Sequence, residues 1–140
     1  MRILDTDHMT LLERGGIGAV ALEVRLAQVP VSEIATTIIS YEEQMRGWLS
    51  YVSQAKTPER LIEAYASLQN HVEAYGDAQI FAYDGLASEE YERLVQAGVR
   101  IGTKDLRVAA ICLSYGATSL TRNLRHFQQV PGLIVEDWSA

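Results

Sequence analysis

Segments of three or four residues with strand character recur between stretches of helical periodicity along the whole chain. They are Arg2-Ile3-Leu4, Ile34-Ala35-Thr36-Thr37, Gln79-Ile80-Phe81-Ala82, Thr118-Ser119-Leu120-Thr121 and Leu133-Ile134-Val135-Glu136. Strands this short, separated by helices that carry the chain back across a sheet, imply parallel pairing with both faces covered. No internal repeat or Gly/Ser-rich linker divides the 140 residues, and Pro30, Pro58 and Pro131 fall between elements. The expectation is a single α/β domain over residues 1–140, three layers deep (α/β/α), with a mostly parallel central sheet of about five strands.

The helical stretches have readable punctuation. Met9 to Arg14 allows one or two turns before Gly15-Gly16, and Ile17 to Gln28 shows helical spacing at Val20, Val24 and Ala27. A long helix is expected from about Ser40 to Ala55, with Met45, Trp48, Leu49 and Val52 as its apolar stripe. Thr57-Pro58 reads as an N-cap followed by proline at the first helical position, opening a helix to Gly76. Ser88 to Gln96 forms another helix. Thr103 is expected to cap the next, Lys104 to Tyr115, which is apolar on almost every side and so belongs in the interior.

Composition narrows the function classes. Twelve Lys and Arg against eighteen Asp and Glu give a net charge of −6, which argues against a basic nucleic-acid coat or a membrane-surface binder. An enzyme acting on nucleic acid stays possible, because a bound divalent ion supplies the positive charge that phosphate requires. The lone Cys112 provides neither a disulfide framework nor a Cys-rich zinc site, as suits a reducing compartment. No apolar run approaches the roughly 18–20 residues of a membrane span, and Asp5 comes too early for a signal peptide. A cytoplasmic protein without membrane contact is expected.

In parallel α/β sheets, sites lie beyond the carboxyl ends of the strands. There the chain places Asp5 and Asp7, then Asp84, then Thr121-Arg122-Asn123, and Glu42, Glu43 and Asp105 on nearby helix starts can reach the same rim. Converging carboxylates suit Mg²⁺ or Mn²⁺. Solvated acids at loop ends produce the same pattern, so spacing alone does not choose between them. Helical phase separates the two glutamates. Glu42 precedes Arg46 by four residues, the orientation of a surface ion pair, whereas Glu43 shares a face with Ile39 and Gly47. A glycine inside a helix costs about 1 kcal/mol against alanine and marks close approach by something else. Glu43 is therefore the better ligand. Asp105 near the start of a buried helix is favoured in its ionised form by the helix dipole.

Taken in order, these residues resemble a family. Ile3-Leu4-Asp5-Thr6-Asp7 is similar to the opening motif of PIN-domain ribonucleases, and the run Ile38 to Gly47 resembles their second, a glutamate followed by glycine four residues later. Ile101 to Ala110 resembles the third, Thr118 to Phe127 the fourth, and Val130 to Trp138 the usual ending of the VapC-type toxins of the family. The resemblance covers the whole chain. It implies a metal-dependent endoribonuclease using Mg²⁺ or Mn²⁺, with RNA as substrate, a small antitoxin as partner and a homodimer as the assembly. By the same resemblance Asp5, Glu43 and Asp105 are the metal-holding acids. Asn123 joins them as a catalytic residue in the fourth motif, where the family often has an acid just before the phenylalanine and this chain has His126. Thr6, Asp7 and Thr121 are expected to support ligands or waters from behind, and Arg122 and His126 to face substrate.

Two other readings compete. Asp5-Thr6-Asp7 after a first strand imitates the nucleophile and acid of haloacid-dehalogenase phosphohydrolases, for which a phosphoryl group trapped on Asp5 would be diagnostic. The missing fourth acid also suits a catalytically degenerate PIN-like binding module, which a metal titration would reveal. His8 and His71 have no partner at metal-ligand spacing, Cys112 in the apolar helix is expected as a small buried hydrophobe, and Tyr65, Tyr75 and Phe81 are expected in the core.

Overall fold

The computed structural model describes residues 1–140. Five strands, β1 (Arg2–Leu4), β2 (Ile34–Thr37), β3 (Ile80–Phe81), β4 (Thr118–Leu120) and β5 (Val135–Glu136), form one sheet in the order β3-β2-β1-β4-β5. Every neighbouring pair is parallel. The chain winds outward from β1 through β2 to β3, then returns to the other side of β1 for β4 and β5. The order therefore reverses between β1 and β4, and a crevice opens beyond their carboxyl ends. Leu4 pairs with Leu120 in that seam, so the next residues, Asp5 and Thr121, stand side by side at its mouth.

Seven helices cover the sheet: α1 (Thr6–Arg14), α2 (Ala19–Leu26), α3 (Ile38–Gln54), α4 (Pro58–Gly76), α5 (Gly85–Gln96), α6 (Thr103–Ser114) and α7 (Leu124–Phe127). Side chains alternate along a strand, and β1 shows it directly. Ile3 joins the core on the α5–α6 side, with Phe81, Ala87, Leu106, Ile111 and Phe127. Leu4 joins a second core with Leu11, Leu22, Leu120 and Trp138 on the α1–α2 side. Both faces are thus buried, which gives the three layers. α6 fits the interior position expected of it, with Leu106 and the run from Val108 to Cys112 buried. No helix is long and apolar enough to cross a membrane.

Several local expectations need correction. α1 starts at Thr6 rather than Met9, because Asp5 takes an extended N-cap conformation and its carbonyl accepts the Met9 amide. Thr6, Asp7 and His8 interrupt the apolar periodicity but suit a first turn. α5 likewise starts at Gly85, since the Asp84 carboxylate accepts the Ala87 amide at 3.0 Å. Thr103 does not cap α6; Gly102 occupies the N-cap position and no side chain bonds there. In α3 the buried residues are Ile39, Ser40 and Gln44, while Leu49 is exposed. The helix packs on α4 and α1, Trp48 Nε1 donates to Glu13 Oε1 at 3.1 Å, and the inner face meets polar groups of α1 (Gln44 Nε2 donates to Thr10 Oγ1 at 3.1 Å). Tyr65 is exposed, whereas Tyr75 and Phe81 are buried as expected.

Candidate functional site

Beyond the β1–β4 seam lies a cavity of about 460 Å³ lined by Asp5, Thr6, Asp7, Thr10, Glu43, Asp105, Arg122 and Asn123, without one apolar side chain. Three different parts of the chain deliver the acids. Asp5 ends β1, Glu43 sits one turn into α3, and Asp105 lies in the first turn of α6. α3 can point at the same place as β1 because it follows β2 without a loop, with Thr37 as N-cap accepting the Ser40 amide at 3.1 Å. Glu42 faces away, where Arg46 (2.8 Å) and Lys104 (2.5 Å) both donate to it. Asp84, capping α5, is absent from the lining.

Hydroxyls hold the carboxylates. Thr121 Oγ1 donates to Asp5 Oδ2 at 3.0 Å and Thr6 Oγ1 to Glu43 Oε1 at 2.8 Å. Asn123 Nδ2 stands 3.5 Å from Asp105 Oδ2, and its backbone amide donates to Thr121 Oγ1 at 3.0 Å. Thr121 is fully buried and supports the site from beneath, while Arg122 is exposed at the rim. His126 lies outside the lining, with Nδ1 3.8 Å from Asp105 Oδ2 and 3.1 Å from Asn123 Nδ2. Thr10 and Ser40 were not anticipated. Thr10 follows Thr6 by four residues and shares its helix face, a signal that becomes visible once α1 is started at Thr6. Ser40 Oγ sits 3.2 Å from Thr6 Oγ1, beside the bond that orients Glu43.

The electrostatics are those of an acid cluster short of positive charge. Burial, then the neighbouring Asp7 and Asp105, push the Asp5 carboxyl up to about 7. Burial also raises Glu43 and Asp105, with Asp105 adding repulsion at Glu43 and Asp7 at Asp105. Asp5 Oδ1 is buried without any hydrogen-bond partner. An orphaned carboxylate oxygen beside two further carboxylates is the donor set that a hard divalent cation satisfies. The cage is not closed, since no three His, Cys, Asp or Glu groups are set to hold an ion as they stand. Small rotations of Glu43 and Asp105 within the open cavity would have to complete it. A second cavity of about 310 Å³, lined by Leu4, Met9, Leu12, Ile34 and Ala35 among others, is apolar apart from a few polar neighbours and offers no such chemistry.

Fold and cavity together define a three-layer α/β domain with an acidic cleft at the switch point of a parallel sheet. Comparison with known proteins gives that class a narrower resemblance. No protein-family profile matches the chain. It is similar to a ribonuclease VapC2 of Rickettsia felis, 38% identical over 58 residues, covering 41% of this chain and 40% of that protein. It is also similar to a tRNA(fMet)-specific endonuclease VapC of Salmonella typhimurium, 30% identical over 82 residues, 58% of this chain and 60% of the relative. The aligned segments thus span less than two thirds of either relative. In structure it matches a chain of the VapBC-1 complex of Haemophilus influenzae over 99% of its own length and 98% of that chain, with a TM-score of 0.76 and 20% identity. The fold is that of the VapC-type PIN domain, and the sequence resembles VapC ribonucleases.

Proposed function

We propose that the chain is a metal-dependent endoribonuclease, the toxin of a toxin–antitoxin pair, that cuts RNA phosphodiester bonds in the cavity beyond β1 and β4. The observation that carries the reading is the convergence of Asp5, Glu43 and Asp105 on one cavity, each with its carboxyl raised and one oxygen of Asp5 unpartnered. Asp5, Glu43 and Asp105 are the residues that would hold Mg²⁺ or Mn²⁺. Such an ion supplies an activated water and neutralises charge on the phosphate oxygens.

The remaining residues prepare the site. Thr121 fixes Asp5 through Oδ2 and leaves Oδ1 available, and Thr6 does the same for Glu43. Asn123 borders Asp105 and completes the polar wall on the β4 side. Arg122 offers the cavity a cation not paired with a carboxylate, placed where a phosphate enters. Lys104 is engaged by Glu42 and contributes less. A small antitoxin partner is proposed from the likeness to chains solved in VapBC complexes, and a second copy of this chain from the sequence resemblance alone. Exposed Ile17, Val20 and Val24, with Ile62 and Tyr65 of α4, provide apolar surface for protein partners.

The test is a metal titration read alongside RNA cleavage. Mn²⁺ is expected to bind the wild type and to support cleavage, and Asp105→Asn is expected to lose both while keeping its fold. Cleavage that survives complete chelation would overturn the assignment.

A further inference from the structure

Asp7 lines the acidic cavity, yet both of its oxygens are engaged by groups behind it. Oδ2 accepts the Arg122 amide at 3.0 Å and lies 3.1 Å from Thr121 Oγ1. Oδ1 is 2.9 Å from Nδ1 of His8, a wholly buried side chain. The other ring nitrogen, Nε2, accepts the backbone N–H of Trp138 at 3.2 Å. A ring nitrogen that accepts a hydrogen bond carries no proton, so His8 is the neutral tautomer with its hydrogen on Nδ1, donated to Asp7. Asp137 Oδ1, 3.6 Å from Nε2, is occupied instead by the amide and hydroxyl of Ser139 at 2.8 and 2.6 Å.

The tail that supplies this amide is firmly seated. The Trp138 ring is buried, with the Arg25 guanidinium 4.6 Å from its centroid. Ser139 lies against Gly18, where a Cβ would come within 2.5 Å of the Ser139 carbonyl and where φ is +93°. Glycine is required there on both counts.

Thr121 has one hydroxyl proton and two carboxylates in reach, Asp5 Oδ2 at 3.0 Å and Asp7 Oδ2 at 3.1 Å. Asp7 does not need that proton so long as His8 and the Arg122 amide satisfy it. We infer that His8 is a positioning residue linking the docked C-terminal tail to the acidic cavity: the Trp138 amide sets its tautomer, and its Nδ1–H holds Asp7 so that Thr121 orients Asp5. Without that donor, Asp7 is free to compete for the Thr121 proton or to turn into the cavity. The inference rests on the metal-dependent reading above.

Two measurements test it. The first is the ¹⁵N spectrum of the imidazole nitrogens in the wild type, expected to show His8 with Nδ1 protonated and Nε2 bare; a proton on Nε2 overturns the inference. The second compares Mn²⁺ affinity in His8→Asn and His8→Gln, each checked for folding by circular dichroism. Asparagine places an amide donor where Nδ1 stands, and glutamine reaches only the position of Nε2. His8→Asn is expected near wild-type affinity and His8→Gln about 10-fold weaker, the usual size of a lost outer hydrogen bond at a metal site. Equal affinity in His8→Gln and wild type, or an equal loss in both variants, overturns the inference. Failure of the wild type itself to bind Mn²⁺ refutes the metal reading instead, and the ring-nitrogen spectrum still decides the tautomer.

Discussion

Replacing Asp5 by asparagine should make the metal-free protein more stable and inactive at once. Asp5 has an ordinary value of 3.8 and is pushed up to about 7 by burial and by its acidic neighbours. At pH 8, where it is ionised in both states, that difference costs the folded protein about 4 kcal/mol. Asparagine keeps the oxygen that accepts from Thr121 and removes the charge. Its amide NH₂ then takes the place of an oxygen that already lacked a partner, which costs about 1–3 kcal/mol. The net gain is about 2 kcal/mol, or roughly 5–8 °C in melting temperature for a domain of this size. The sign with pH is fixed. The folded state holds the Asp5 proton more tightly than the unfolded state, so wild-type stability falls as pH rises from about 4 to about 7 and is level above. By pH 5 the penalty left in the wild type is below about 2 kcal/mol, and the advantage of Asp5→Asn should have vanished. Thermal unfolding of both proteins in chelator at pH 8 and pH 5 measures this, and added Mn²⁺ should restore the wild type to the lead. An Asp5→Asn variant no more stable at pH 8, or equally favoured at both pH values, refutes the reasoning.

Glu43→Gln should abolish RNA cleavage, whereas Glu42→Gln should leave most of it; the opposite order in a cleavage assay would show that α3 presents the wrong glutamate to the cavity. Expression without a partner should slow bacterial growth, and Asp5→Asn or Asp105→Asn should relieve it at equal protein level, which growth curves with matched immunoblots will settle. His126→Asp puts a carboxylate next to Asp105 and should tighten a second Mn²⁺ in calorimetry while preserving cleavage; weaker RNA binding without any gain in metal affinity would assign His126 to the phosphate.

The parts of the site legible in the sequence were those tied to strand ends. Asp5 follows the first apolar segment, and the parallel topology alone sends it to the seam. Glu43 was separated from Glu42 by helical phase, and Arg46 does pair with Glu42. Gly47 marks no close approach by another element, since a Cβ there would meet nothing within 4 Å. Gly47 borders an open recess with Glu43, Arg46, Ser50 and Lys104 rather than a neighbouring element. Starting α1 at Met9 hid the rest. With Thr6 to His8 read as loop, neither the Thr6–Thr10 face nor the contact from His8 to a tail 130 residues later was visible. The second buried histidine, His71, was likewise out of reach: its Nδ1 meets Glu13 at 3.2 Å between α1 and α4, a long-range pairing that no local pattern encodes. α7 was overlooked because four residues carry too little periodicity to register.

The central claim is that the acidic cavity cuts RNA with a divalent ion held by Asp5, Glu43 and Asp105. The most direct measurement is to incubate the purified protein with bacterial RNA and Mn²⁺ and to map the new ends by sequencing. Discrete internal cuts are expected from the wild type, absent in chelator and absent with Asp105→Asn. Undiminished cutting by Asp105→Asn, or no cutting by a wild type shown to bind Mn²⁺, would contradict it.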